Sequence, residues 1–160
     1  MPEPICLSQH LPRFNPCYSD VLRSFKMAEA LQEREKAMAS QAPYSINLDT
    51  KFGPLELVDL ETLVKACQDK WYNQTLCRVN DCVVRLGIMQ GEFHGHKHDN
   101  EDEFFYVVDG RFLIDLEDRT VELMPQQGFT VPRGLVHRTR APEKTVILMI
   151  EGAGVVPTGS

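Results

Sequence analysis

The chain has no Cys-x-x-Cys pair, no surplus of basic residues, no long apolar run and no internal repeat. Each absence removes a class. Five cysteines (Cys6, Cys17, Cys67, Cys77, Cys82) make an odd count without a paired motif, and the opening MPEPICLSQHLPRF lacks the basic stretch and apolar run of a secretory leader. The expectation is a reduced, cytoplasmic protein. Lys and Arg number 17 against 23 Asp and Glu, a net charge of -6, whereas a nucleic-acid partner wants a basic footprint; none is expected. No apolar segment approaches the roughly 18 residues that begin to suggest a membrane span, so no membrane partner is expected either. What is present is an ordinary globular composition, 42% hydrophobic over 160 residues, enough for one core with appendages.

Residues 1–65 read as an N-terminal arm and helices that pack on a barrel spanning 66–160. The arm, to about Pro16, is rich in proline and has no sustained period. Ser19 or Asp20 is placed to cap a helix through VLRSFKMAEALQEREKAMAS, with Leu22, Phe25, Ala28 and Leu31 as a thin apolar stripe, and Ala42-Pro43 ends it. Asp59 is placed to cap a shorter helix whose Leu60, Leu63, Val64 and Cys67 share a face that should be buried. From Leu76 the pattern changes to short runs rich in Val, Ile, Leu and Phe (CVVRLGIM, EFFYVVDG, RFLIDLE, TVELM, FTVPRG, TVILMIE), broken at Asn80-Asp81, Gly110, Glu117-Asp118 and Pro125 to Gly128. Closely spaced runs of this kind predict antiparallel strands closed into a sandwich or barrel, an all-β fold decorated by helices.

Four of the five histidines fall in this half: His94, His96, His98 and His137. His96-Lys97-His98 has the period of two that sends both imidazoles to one face of a strand. Glu103 follows at the start of a neighbouring strand, and His137 lies after a Pro-x-Gly turn, so three imidazoles and one carboxylate can converge on a divalent ion. His94 shares their parity and is a candidate general base or outer partner, with an ordinary surface histidine as the alternative. Phe105 and Val107 share parity with Glu103 and should line the cavity wall, with Phe104 and Tyr106 on the opposite face. Arg138 and Arg140 alternate with His137 and should point outward. The acidic Asp99, Glu101 and Asp102 read as a solvated turn. Cys77 and Cys82 read as small core residues. Arg85 and Met89 share a face whose direction the pattern leaves open.

The stretch GEFHGHKHDNEDEFFYVVDG resembles the first cupin motif, His-x-His, four residues, Glu, six residues, Gly, and PQQGFTVPRGLVH resembles the second through Pro-x-Gly-x-x-His. The resemblance is closest to single-domain cupins described as mannose-6-phosphate-isomerase-like, and covers roughly Trp71 onward. It implies a small double-stranded β-helix, or jelly roll, holding one divalent metal ion per chain (Fe, Mn, Ni or Zn) on His96, His98, Glu103 and His137, with Gly110 and Gly134 as turn glycines. Gly95 and His94 stand where relatives often carry Trp and Val or Pro, and Gln126-Gln127 replaces a usual Gly-Asp, which implies a roomier and more polar cavity.

An ion with open positions is the arrangement metal catalysis needs. The expected function is an enzyme acting on a small enolisable or oxygenated molecule, with dioxygenase-type oxidation ahead of metal-assisted isomerisation, decarboxylation or elimination; Glu103 and His94 are the candidate acid–base groups. A noncatalytic small-molecule-binding cupin is the alternative from another class. A homodimer is expected from sheet edges that need cover and an N-terminal helix and arm with no core of their own.

Overall fold

The computed structural model describes residues 44–159. The Pro-rich arm, the helix expected between Asp20 and Ala39, and His10, Cys6 and Cys17 lie outside them. The described chain runs β1 (Ser45–Asn47), α1 (Leu60–Ala66), β2 (Trp71–Val79), β3 (Cys82–Glu92), β4 (Glu103–Asp109), β5 (Phe112–Asp115), β6 (Thr120–Leu123), β7 (Gly128–Val131) and β8 (Arg138–Gly152). All six predicted runs are strands, and they hydrogen-bond in the order β1-β2-β3-β8-β4-β7, with β5 joining β6 to β8. This is an all-β jelly roll.

Long β8 is the organising strand. Its first residues pair with β5 and its later ones with β4, while β3 follows it from Cys82 to Glu92. The breaks fall where the turn chemistry put them: Asn80 takes φ 54° between β2 and β3, and Gly110 takes φ 85° between β4 and β5. At Gly110 a Cβ would stand 2.7 Å from Thr145 Oγ1 and 2.8 Å from the Lys144 carbonyl oxygen, so both the left-handed backbone and the close approach require glycine.

Alternation sorts the strands into two apolar clusters. Inward residues Phe105 and Val107 of β4 join Met89, Phe112, Ile114, Ile147 and Met149 in the barrel interior, as expected, and Phe104 and Tyr106 lie on the other, half-buried face. On the outer face of the sheet Leu76, Leu86, Ile88 and Val146 form a second cluster, covered by Phe52, Val58 and α1. Asp59 caps α1 as expected, its carboxylate accepting from the Thr62 amide and hydroxyl. The helix face made by Leu60, Leu63, Val64 and Cys67 is half-buried rather than buried, since a seven-residue helix lies on the sheet with its sides open to water.

Three features differ from the strand reading. β2 begins at Trp71, five residues before the change of pattern, because Tyr72-Asn73-Gln74-Thr75 carries polar residues on both faces and masks the period. β1, which lies upstream of the runs read as strands, pairs with β2 in parallel. Cys82 is exposed at the start of β3, not in the core, whereas Cys77 packs in the outer cluster. No helix among the described residues is long and apolar enough to cross a membrane.

Candidate metal centre

His96 and His98 lie in the loop after β3, not on a strand as their period of two suggested. His96 makes one isolated bridge, its amide donating to the His137 carbonyl at 3.0 Å and its carbonyl accepting from the His137 amide at 2.9 Å. That pair of bonds brings two imidazoles distant in sequence to a ring separation of 4.5 Å. His98 is fixed through its carbonyl, which accepts from the Gly134 amide at 2.7 Å; Gly134 turns there with φ 78°. Asp102, in the acidic turn, accepts from the Arg133 amide at 2.9 Å and ties the same two loops together. Glu103 opens β4 and points inward with Phe105 and Val107.

The four expected ligands thus come together, and one donor atom from each lies within 4.8 Å of all the others. His96 Nδ1 bonds the His94 carbonyl and His137 Nδ1 the Leu135 carbonyl, each at 3.1 Å. Those bonds take the Nδ1 proton and leave the Nε2 lone pairs for a metal, the outer-shell arrangement usual for ligating histidines. Glu103 Oε2 lies 3.4 Å from His98 Nε2 and 3.3 Å from His137 Nε2. All three atoms are buried and lack a properly formed hydrogen bond. Buried polar atoms are normally satisfied, and a first-row divalent ion satisfies these together: the residues fit a metal.

Electrostatics agree with that fit. Burial, reinforced by His137, pushes the His96 imidazole down to about 4, so it is neutral at physiological pH. For Glu103 burial acts upward, but the His137 and His98 imidazoles beside its Oε2 outweigh it and hold the carboxyl at about 2. His98 is shifted up from 6.5, chiefly by its contact with Glu103 and against burial.

His94 is not among the converging groups. It is exposed on the rim, its ring 5.5 Å from that of His96 and its Nε2 2.9 Å from the Thr158 carbonyl oxygen. Gly95 is also exposed, and no atom lies within 4 Å of where its Cβ would stand. Neither lines the cavity next to the ligands. That cavity is bounded by His96 and Glu103 on one side and by Trp71, Asn73, Met89, Phe93, Phe105 and Met149 on the other. It is more apolar than the substitutions at 94 and 95 implied. Arg138 and Arg140 point outward as expected, both bonded to Asp115 and so committed to the outer surface.

Two groups near the site carry no local motif. Arg85 and Met89 both face inward; Arg85 pairs with Glu151, donates to Thr75 Oγ1 at 2.6 Å and to the Val155 carbonyl at 3.2 Å. The tail after β8 crosses the mouth, with Pro157 on the cavity wall and Gly159 against His96. Parity along TVILMIE was the available signal for Glu151, since it continues the inward series Thr145, Ile147, Met149.

Comparison with known proteins bears on the same residues. The Cupin_2 family of cupin domains matches residues 84–151, a span that holds all four ligands. The chain is 36% identical over 97 residues to the uncharacterized protein YdbB of Bacillus subtilis, covering 60% of this chain and 86% of that one. A shorter match, 42% over 45 residues, is to a protein named polyketide synthase CurC of Streptomyces cyaneus; it covers 28% of this chain and 29% of CurC. Among solved structures, a cupin-2 domain protein of Shewanella frigidimarina superposes with a TM-score of 0.58 at 26% identity, over 60% of this chain and 94% of its own. With the jelly roll, the two spaced motifs and these relatives in agreement, the chain belongs to the cupin superfamily.

Proposed function

We propose that the chain is a divalent-metal-dependent enzyme that oxidises a small enolisable molecule with oxygen, in the manner of a dioxygenase. The observation that carries the reading is the convergence of unsatisfied His98 Nε2, His137 Nε2 and Glu103 Oε2 beside an apolar cavity. When bound by His96, His98, Glu103 and His137, an ion such as Fe, Mn, Ni or Zn supplies a Lewis acid and, if redox-active, a path for electrons to oxygen.

The chain's own residues narrow the substrate. Trp71, Met89, Phe93, Phe105 and Met149 exclude water and favour a small, flat, mostly apolar body. Glu103 is the one carboxylate lining the cavity among the described residues, and it stays ionised throughout the neutral range. Glu103 is placed to take the proton of an enolisable substrate: an enediol, a β-dicarbonyl compound or a phenol. The match to a protein named polyketide synthase, although local, supports the same class, since polyketide chains are rich in β-dicarbonyl units.

The test begins with elemental analysis of protein purified without added metal. Metal-free protein is then loaded separately with Fe(II), Mn(II), Ni(II) and Zn(II), and oxygen is followed by electrode with enediols, phenols and thiols. Oxygen uptake with a redox metal and none with zinc is the expected outcome. Equal turnover with zinc under argon moves the protein to the isomerase, decarboxylase or lyase class, and binding without turnover by any metal makes it a binding cupin.

A further inference from the structure

Asn73 lies on the cavity wall, and its side-chain oxygen is buried without a partner. β2 turns Trp71, Asn73 and Thr75 toward the barrel interior, and all three are buried. Thr75 is engaged by Arg85. Thr139, which alternates with the outward arginines, also faces the cavity. Asn73 is 5% exposed, and its Oδ1 is buried with no hydrogen-bond partner. Its backbone is already paired across to Gly87, so the strand register fixes where the amide points.

An unpaired amide in an apolar wall destabilises the fold unless a ligand completes it. An aliphatic side chain of similar size would pack there without that cost. The surroundings say what completes it. The cavity that Asn73 lines is also walled by Trp71 and Phe93, stacked with centroids 5.4 Å apart and planes 12° from parallel, and by Phe105, Met89 and Met149. The open partner is an acceptor, so the ligand brings a donor; the walls are aromatic and sulfur, so it brings a flat body; and the ligands His96 and Glu103 close the other side. We propose that Asn73 determines specificity by accepting a hydrogen bond from a ring hydroxyl of a phenolic substrate whose other oxygen faces the metal ligands. This rests on the proposed function, and selects phenols from the enolisable substrates which that reading allows.

Trp71 is the only tryptophan of the chain and lines the cavity, so its fluorescence reports occupancy without requiring turnover. Full-length metal-loaded protein is titrated with resorcinol and with its monomethyl ether, in the wild type, in Asn73→Leu and in Asn73→Ala. The wild type is expected to prefer resorcinol by about tenfold, the worth of one well-made neutral hydrogen bond, and both variants are expected to lose that preference while keeping affinity for the ether. A merely structural role would weaken both ligands together. Asn73→Leu is also expected to melt above the wild type, because it removes an unsatisfied polar group. An unchanged preference in the variants overturns the role of Asn73 and leaves the oxidase reading standing. Failure of either ligand to perturb Trp71 in the wild type overturns the phenolic class. Selective binding through Asn73 with no oxygen uptake keeps this inference and sinks the oxidase reading instead.

Discussion

Arg85 and Glu151 form an ion pair with side chains 3% and 1% exposed, inside the barrel and next to the ligands. Burial, with the charge of Glu103 added, raises Glu151 to about 7 even though Arg85 opposes it. Truncating one partner of such a pair strands the other charge, and Arg85→Met should cost about 3–5 kcal/mol in urea unfolding. The double variant Arg85→Met, Glu151→Leu should recover most of that loss; if both variants unfold at the same urea concentration, the pair is not what holds this region. A second residue-scale effect concerns protons. Ligands must be deprotonated to bind a metal; His96 and Glu103 already are at neutral pH, whereas His98 is shifted above 6.5. His98 therefore holds its proton below that raised value and loses it above, so calorimetry in buffers of different ionisation enthalpy should find more protons released per ion at about pH 6.5 than at about pH 8.5, with weaker binding at the lower pH. Equal release at both would mean that His98 is neutral before the ion arrives.

Among the elements, strand faces were the most legible part of the sequence. Period two placed Phe105 and Val107 inside, and Arg138 and Arg140 outside, because each strand has one wet and one dry neighbour at those positions. The same rule fails on β3, where Leu86 and Ile88 are buried although they face away from Met89: their cover is Phe52, Val58 and α1, contributed from far upstream. β1 is three residues, Ser-Ile-Asn, too short for any period to show. The four ligands were legible because their spacing reflects the geometry of one ion, whereas Glu151 is marked only by its parity along β8, and Asn73 belongs to no spacing and becomes visible only when strands pair. The tail was illegible for the same reason. Gly159 has φ 94°, and a Cβ there would stand 2.8 Å from His96 Cβ. Gly159→Ala should therefore lift the tail: the amides of Val155, Val156, Thr158 and residue 159 should exchange faster and the bound ion should dissociate faster than in the wild type. Gly154→Ala, with no atom within 4 Å of its added Cβ, is the control and should change neither. Equal exchange in both variants would show that the tail does not rest on His96.

For the molecule as a whole, the question is whether the ion holds the fold or only uses it. Small domains with few buried apolar residues unfold when their metal is removed. Here twelve buried side chains, including Trp71, Phe93, Phe105, Phe112 and Ile147, form one continuous interior cluster, and each fully buried large side chain contributes about 1.5–3 kcal/mol. The ligands hang on backbone bonds that need no ion, among them the reciprocal His96–His137 pair. The metal-free protein should consequently stay folded and lose only the binding contribution. At a free-ion concentration about a hundredfold above Kd that contribution is about 2.7 kcal/mol, which for a domain of this size shifts Tm by on the order of 10 °C. Circular dichroism melts with chelator and with added metal measure this directly. In the double variant His96→Ala, His98→Ala, the strand signal should persist and the added metal should no longer move Tm, since the barrel is intact and half the ligand set is gone. Loss of the strand signal on chelation of the wild type would overturn the argument, because the apolar interior would then be insufficient without the ion.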